Sequence, residues 1–126
     1  MKGGVYDFGI YQTGTVYTLN GKCHRGFSKS GEQLPAIILH VRGVERVYEW
    51  RRYGLLHRDD GPAIVTYEGG RSGDDSRDGP SRHWYWRGLL HRPLDGPYAG
   101  PAIEPNYESF AWRGDWYQYG VKVPSP

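Results

Sequence analysis

The chain has 126 residues, a formal net charge of +2, 19 glycines, 9 prolines, 5 tryptophans and 11 tyrosines. That length suits one domain with a modest core; so small a charge decides little, and arginines scattered along the sequence do not indicate a nucleic-acid partner. The single Cys23 excludes an internal disulfide and fits a reducing compartment. No apolar run approaches the ~20 residues that span a bilayer. The start Met1-Lys2-Gly3-Gly4 lacks the apolar segment of a signal peptide, so the expected location is the cytoplasm of the cell in which the protein acts.

Many aromatics with many Gly and Pro read as β-rich, and no stretch keeps a 3.6-residue apolar period, so little or no helix is expected. In residues 5–11, Tyr6, Phe8 and Ile10 alternate with Asp7, Gly9 and Tyr11, the pattern of a half-buried strand. Gln12-Thr13-Gly14 reads as a turn and Thr15 to Leu19 as the next strand. Asn20-Gly21 is a strong hairpin signal because both residues tolerate positive φ, and Lys22 to Arg25 returns. Val44 to Trp50 reads as a strand, Arg51 to Gly54 as a turn and Leu55 to Arg58 as the return. Asp59-Asp60-Gly61-Pro62 is a second turn, with Asp bonding its own backbone and Pro fixing φ, before a strand from Ala63 to Tyr67. Residues 69–82 hold no apolar side chain larger than Pro and predict a mobile loop. His83 to Trp86 opens a second such unit. Phe110 to Trp112, Gly114 and Trp116 to Tyr119 form a terminal partial unit.

Three His-Arg pairs, at His24, His57 and His91, lie 33 and then 34 residues apart. A fixed period in this range marks a repeat architecture, whose units bury their apolar faces against one another. The expected fold is therefore all-β: a row of antiparallel β-hairpin repeats, about three units plus a terminal cap, in one domain over residues 1–126. Its divisions are a weak repeat at 15–41, a repeat at 44–68, the loop at 69–82, a repeat at 83–104 and a partial repeat at 108–123. Exposed strand edges of such a row could pair two copies.

The pattern W-x-x-G-x-x-H-R-x-D-G-P-A resembles short repeats found in uncharacterised proteins of phages, giant viruses and some bacteria. It is also distantly similar to MORN repeats. The match runs through Trp50, Gly54, His57, Arg58, Asp60, Gly61, Pro62 and Ala63. It runs again, with an insertion, through Trp86, Gly88, His91, Arg92, Asp95, Gly96 and Pro97. After Arg25 it is poor. About half the chain is covered. The resemblance implies a β-hairpin scaffold and a viral or mobile-element origin, and no activity.

A repeated His-Arg-x-Asp could be catalytic, with His as base and Arg as anion clamp. Its multiplicity favours a structural role instead: His57 and His91 bonding backbone at turns, Arg58 and Arg92 pairing with Asp60 and Asp95 and lying across Trp50 and Trp86. The histidines of successive hairpins are too far apart for one zinc ion. No catalytic residue, cofactor or metal is therefore assigned. Trp and Arg anchor protein interfaces, and the expected contact residues are Trp84, Tyr98, Arg113 and Trp116. The expected function is a non-enzymatic module that binds and inhibits a host protein or complex, such as a component of bacterial immunity (an anti-CRISPR protein would be one). A carbohydrate-binding or virion protein, a phospholipid-binding MORN-like protein and a His-dependent hydrolase are the alternatives.

Overall fold

The computed structural model describes residues 2–9, 12–67, 81–104 and 113–126, with the backbone alone for residues 2, 5–9 and 12. Fourteen strands and no helix lie among them. They are β1 (Lys2–Gly9), β2 (Gln12–Leu19), β3 (Lys22–Cys23), β4 (Ile37–Val41), β5 (Val44–Glu49), β6 (Arg51–Arg52), β7 (Leu55–Leu56), β8 (Ile64–Thr66), β9 (Ser81–His83), β10 (Tyr85–Trp86), β11 (Leu89–Leu90), β12 (Ile103–Glu104), β13 (Trp116–Gln118) and β14 (Val121–Val123). One antiparallel sheet runs β1-β2-β4-β5-β8-β9-β12, with β3 also paired to β2. The pairs β6–β7, β10–β11 and β13–β14 are separate two-stranded hairpins. The fold is thus all-β and antiparallel.

Two-residue turns set the strand pairing. At Asn20-Gly21, Arg42-Gly43, Tyr53-Gly54, Arg87-Gly88 and Tyr119-Gly120, two consecutive residues have positive φ, near 50° at the first and 79–89° at the second. This is the hairpin turn whose twist matches that of the flanking strands. Glycine at the second place avoids the steric cost that a Cβ meets in this region. The first place is filled by Arg or Tyr in four of the five turns, so tertiary contacts must hold those residues there.

The core is thin. Ala36, Ala63 and Ala102 are fully buried, and Trp50, Val65 and Trp84 are nearly so. The three alanines occupy matching places: their carbonyls accept the N–H groups of Tyr17, Trp50 and Trp84 at 2.7–2.8 Å. A guanidinium lies on each of these rings, Arg25 on Tyr17 at 3.9 Å, Arg58 on Trp50 at 4.0 Å and Arg92 on Trp84 at 4.0 Å. Each arginine also donates to a proline carbonyl: Arg25 to Pro35, Arg58 to Pro62 and Arg92 to Pro101. Gly61 lets Arg58 lie flat, since a Cβ there would stand 2.7 Å from the guanidinium carbon. Guanidiniums thus stack on aromatic rings and donate to backbone carbonyls where aliphatic side chains are few.

The strands differ from the sequence reading in several places. Gln12-Thr13-Gly14 is strand, not turn, because it is laddered on both sides: Thr13 pairs with Asp7 and His40, and Gly14 with Tyr6 and Leu39. Ladder bonds on two edges outweigh a local turn preference. Arg51 and Arg52 belong to β6, so that turn shrinks to Tyr53-Gly54. Ser81 and Arg82 lie in β9, paired with Thr66 and Val65; the rest of the expected loop, 69–80, lies outside the described residues. So do Ile10 and Tyr11, and Phe110 to Trp112 of the terminal unit. Gly88→Ala should lower stability by about 1–2 kcal/mol, the usual cost of a Cβ in the left-handed region. Thermal denaturation measures it, and an unchanged midpoint would mean that the turn relaxes freely.

Candidate functional site

Each of the three repeated histidines accepts a hydrogen bond from the turn of the hairpin that follows it. The Tyr53 N–H donates to His24 Nδ1 at 3.2 Å, the Arg87 N–H to His57 Nδ1 at 2.9 Å and the Tyr119 N–H to His91 Nδ1 at 3.0 Å. Beside each, the turn glycine donates to the carbonyl before the histidine: Gly54 to Cys23, Gly88 to Leu56 and Gly120 to Leu90, at 2.7–2.8 Å. The rings also pack on the next hairpin, His24 on Tyr53, His57 on Trp86 and His91 on Tyr119, with centroids 4.0–4.4 Å apart. His57 is buried, and its Nε2 bonds Asp59 Oδ1 at 2.8 Å. With Nδ1 accepting, Nε2 carries the proton, so both ring nitrogens of His57 are occupied.

The expected structural residues are only partly in their expected places. Arg58 meets Asp60 at 3.2 Å and lies on Trp50. Arg92 instead pairs with Glu104 at 3.0 Å, donates to the Tyr98 carbonyl and lies on Trp84, not Trp86. Asp95 sits exposed in the inserted loop, and Gly100-Pro101-Ala102 takes the place that Gly61-Pro62-Ala63 holds in the preceding unit. Trp84, expected at the surface, is 7% exposed, with its indole N–H donated to Glu104. It lies four residues before the turn glycine, as Trp50 does. Trp86 lies two before it and packs on His57. Tyr98 and Arg113 are exposed, and Trp116 is half-buried. Gln33 was not singled out in the sequence. It is buried, donates to the His57 carbonyl and accepts the Trp50 indole N–H on its own carbonyl. Among the described residues no group of three or more His, Cys, Asp or Glu is placed to hold a metal ion, and no helix is long and apolar enough to cross a membrane.

The candidate site emerges at the hairpin turns themselves. Leu55, Leu89 and Val121 each follow a turn glycine and are 48–66% exposed; Tyr53 and Tyr119, just before the glycine, are 60% and 62% exposed. These side chains form one ridge, because each turn is bonded to the hairpin before it. Leu55 lies against Gly88 and Leu89 against Gly120, with a methyl 3.4 Å from where a Cβ would stand. Between the Tyr53-Gly54 and Arg87-Gly88 turns the ridge opens into a groove of 320 Å³ lined by Arg52, Tyr53, Leu55, His57, Trp86 and Arg87. A contiguous apolar strip on a small domain is the usual mark of an interaction surface. A sequence signal for it existed: the residue after each turn glycine in the last three hairpins is Leu, Leu and Val, where a hairpin tip open to water favours polar groups.

Comparisons with protein-family models, with curated proteins and with solved structures return no match.

Two expectations follow from the histidines. His57→Ala removes bonds to the Arg87 N–H and to Asp59 from a buried site, and should cost about 1–3 kcal/mol in a denaturant titration. The second concerns pH. Burial holds His24, His83 and His91 below their ordinary value of 6.5, and the Arg52 charge adds to the effect at His24. The unfolded chain therefore binds more protons than the folded one just below pH 6.5. Stability should be complete above about pH 6.5 and decline as the pH falls below it towards the folded-state values. Melting temperatures between pH 8 and 5 measure this; a midpoint that stays level, or rises on acidification, contradicts the acceptor role of the rings.

Proposed function

We propose that the chain is a row of β-hairpin repeats serving as a non-enzymatic module that binds another protein through the ridge of hairpin turns. The observation that carries this reading is the ridge itself. Three aliphatic and two aromatic side chains stand about half exposed or more on backbone that hydrogen bonds hold in fixed register. Rigid aromatic and aliphatic anchors on a preorganised frame are what protein interfaces concentrate their energy in. The histidines support the non-enzymatic part. A general base needs a ring nitrogen with a free lone pair, and at His24, His57 and His91 the Nδ1 lone pair is committed to a turn amide. In its most concrete form the reading is a phage or mobile-element protein that acts in the host cytoplasm and blocks a host protein complex. Small size and the resemblance of the repeat motif support that form. Tyr98, Arg113 and Trp116 remain contact candidates outside the ridge; Trp84, buried under Arg92, does not.

The test is affinity capture from bacterial host lysate with the unaltered chain, Leu89→Asp and Val121→Asp, alongside a glycan array and anionic vesicles. A specific protein should be retained by the unaltered chain. Each aspartate should weaken retention by about 2 kcal/mol or more, as for an interface anchor, at an unchanged melting temperature. Binding to glycans or vesicles alone, or retention that only unfolding substitutions reduce, defeats the reading.

A further inference from the structure

The turns share a charge pattern that their apolar character hides. Four of the five two-residue hairpin tips, residues 19–23, 52–56, 86–90 and 118–122, contain no Asp or Glu, although the chain carries 14; the fifth, residues 41–45, carries Glu45. The first four hold four cations: Lys22, Arg52, Arg87 and Lys122. Two have acidic neighbours from outside the tips, Arg52 with Asp59 at 3.3 Å and Lys122 with Asp115 at 3.5 Å. Arg87 is exposed, and its guanidinium stands 5.9 Å from the centroid of Trp86. Arg52 and Arg87 line the same groove as the apolar side chains of Leu55 and Trp86.

The dimensions narrow the occupant. At 320 Å³ the groove falls at the small end of the roughly 300–1,000 Å³ of ligand sites, room for one or two side chains. It lies between two hairpins whose facing strands are joined by the bonds from the Gly88 N–H to the Leu56 carbonyl and from the Arg58 N–H to the Tyr85 carbonyl, so those strands stand about 5 Å apart. A helix is about 10 Å across, so the occupant must offer a projecting side chain from an extended segment. Two guanidiniums beside apolar side chains complement an apolar side chain flanked by carboxylates. Nucleic acid would require cations that follow successive phosphates, whereas these two cations line a groove with apolar side chains.

We infer that the groove between the Tyr53-Gly54 and Arg87-Gly88 turns receives an apolar side chain from an extended acidic segment of the partner protein, with carboxylates on either side meeting Arg52 and Arg87. This rests on the protein-binding reading above and specifies the chemistry of the partner.

The probe is an acetylated Glu-Glu-Leu-Glu-Glu amide, titrated into the full ¹⁵N-labelled chain. Its comparators carry Gln for every Glu, Lys for every Glu, or Gly for the Leu. Shifts should centre on the amides of Leu55 and Gly88 and on the Trp86 indole. The Gln and Gly peptides should bind about tenfold more weakly or worse, as for the loss of a charge pair or an anchor, and the Lys peptide should not bind. Arg87→Asn removes the charge yet suits the left-handed turn, and should weaken the acidic peptide about tenfold without moving the melting temperature. Equal binding of the Gln or Lys peptide, shifts centred elsewhere, or no shift at millimolar peptide each overturns the inference. Equally strong shifts at the groove from oligothymidylate or phosphatidylserine vesicles, which supply charge and no apolar side chain, also overturn it. The two readings fail separately. If partner capture is lost with Leu89→Asp but is indifferent to Arg87→Asn and to added salt, the binding module stands and the acidic segment falls.

Discussion

The fold depends on a backbone amide donating to a neutral imidazole. A residue such as Tyr53, Arg87 or Tyr119 at φ near +50° is costly for any side chain larger than glycine, yet four of the five two-residue turns carry Arg or Tyr there, and at three of them a histidine bears on it. His24, His57 and His91 meet that cost from outside the turn. Each ring accepts the amide of the strained residue and packs on the hairpin that carries it. Turn and docking are therefore one interaction: the geometry that makes the turn tight also aims its N–H at the ring. The distance between successive tips, the packing of Leu55 on Gly88 and the width of the groove all follow from this clamp.

A second device keeps the clamp independent of loop length. In the middle unit only four residues separate Arg58 from the proline carbonyl it binds; in the outer two the interval is ten and nine. The arginine closes the loop at its base, stacked on its aromatic ring, and the extra residues bulge outside. In the third unit this places Tyr98 and Asp95 at the surface and moves the carboxylate partner from Asp60 in the middle unit to Glu104. In the first unit Phe27 and residues 29–32 of the bulge are likewise exposed, and only Gln33 near its end turns inward. Gln33 there bonds both Trp50 and the His57 carbonyl, tying neighbouring units through a stretch that carries no repeat residues.

These details explain what the sequence could reveal. The all-β antiparallel class and the Asn20-Gly21 turn were legible because they rest on composition and on local dihedrals. The tryptophans were misassigned because matching Trp-Arg to Trp-Arg ignores hairpin register. In a two-residue turn every strand position is counted from the glycine, and four residues back from Gly54 and Gly88 stand Trp50 and Trp84. The pairing of Arg92 with Asp95 failed because the insertion moves the motif while the arginine keeps its backbone acceptor. The strand at Gln12 was hidden because the turn preference of Gln12-Thr13-Gly14 is local, whereas one of the two strands that ladder it, β4, is distant in sequence. The ridge was legible only in hindsight of register: Leu55, Leu89 and Val121 look like core residues until each is placed just after a solvent-facing glycine.

Register also bears on which surface is left for a partner. The clamp could in principle continue into another hairpin, but the residues at both extremes work against it. Val123 stands where the three histidines stand and offers no ring nitrogen. Pro124, in the place of Arg58 and Arg92, lacks the N–H that those residues direct at Tyr85 and Tyr117. At the other extreme, Thr18 corresponds to Tyr85 and Tyr117, and its outer edge is already paired with Lys2 of β1. An incoming hairpin would have to displace β1 on one side and do without two hydrogen bonds on the other. The bonds that dock one hairpin on the next within the chain are therefore not offered by Val123 and Pro124. The side of the row, where the tips stand out, keeps its apolar groups exposed and its register fixed, and the proposed recognition rests on that side.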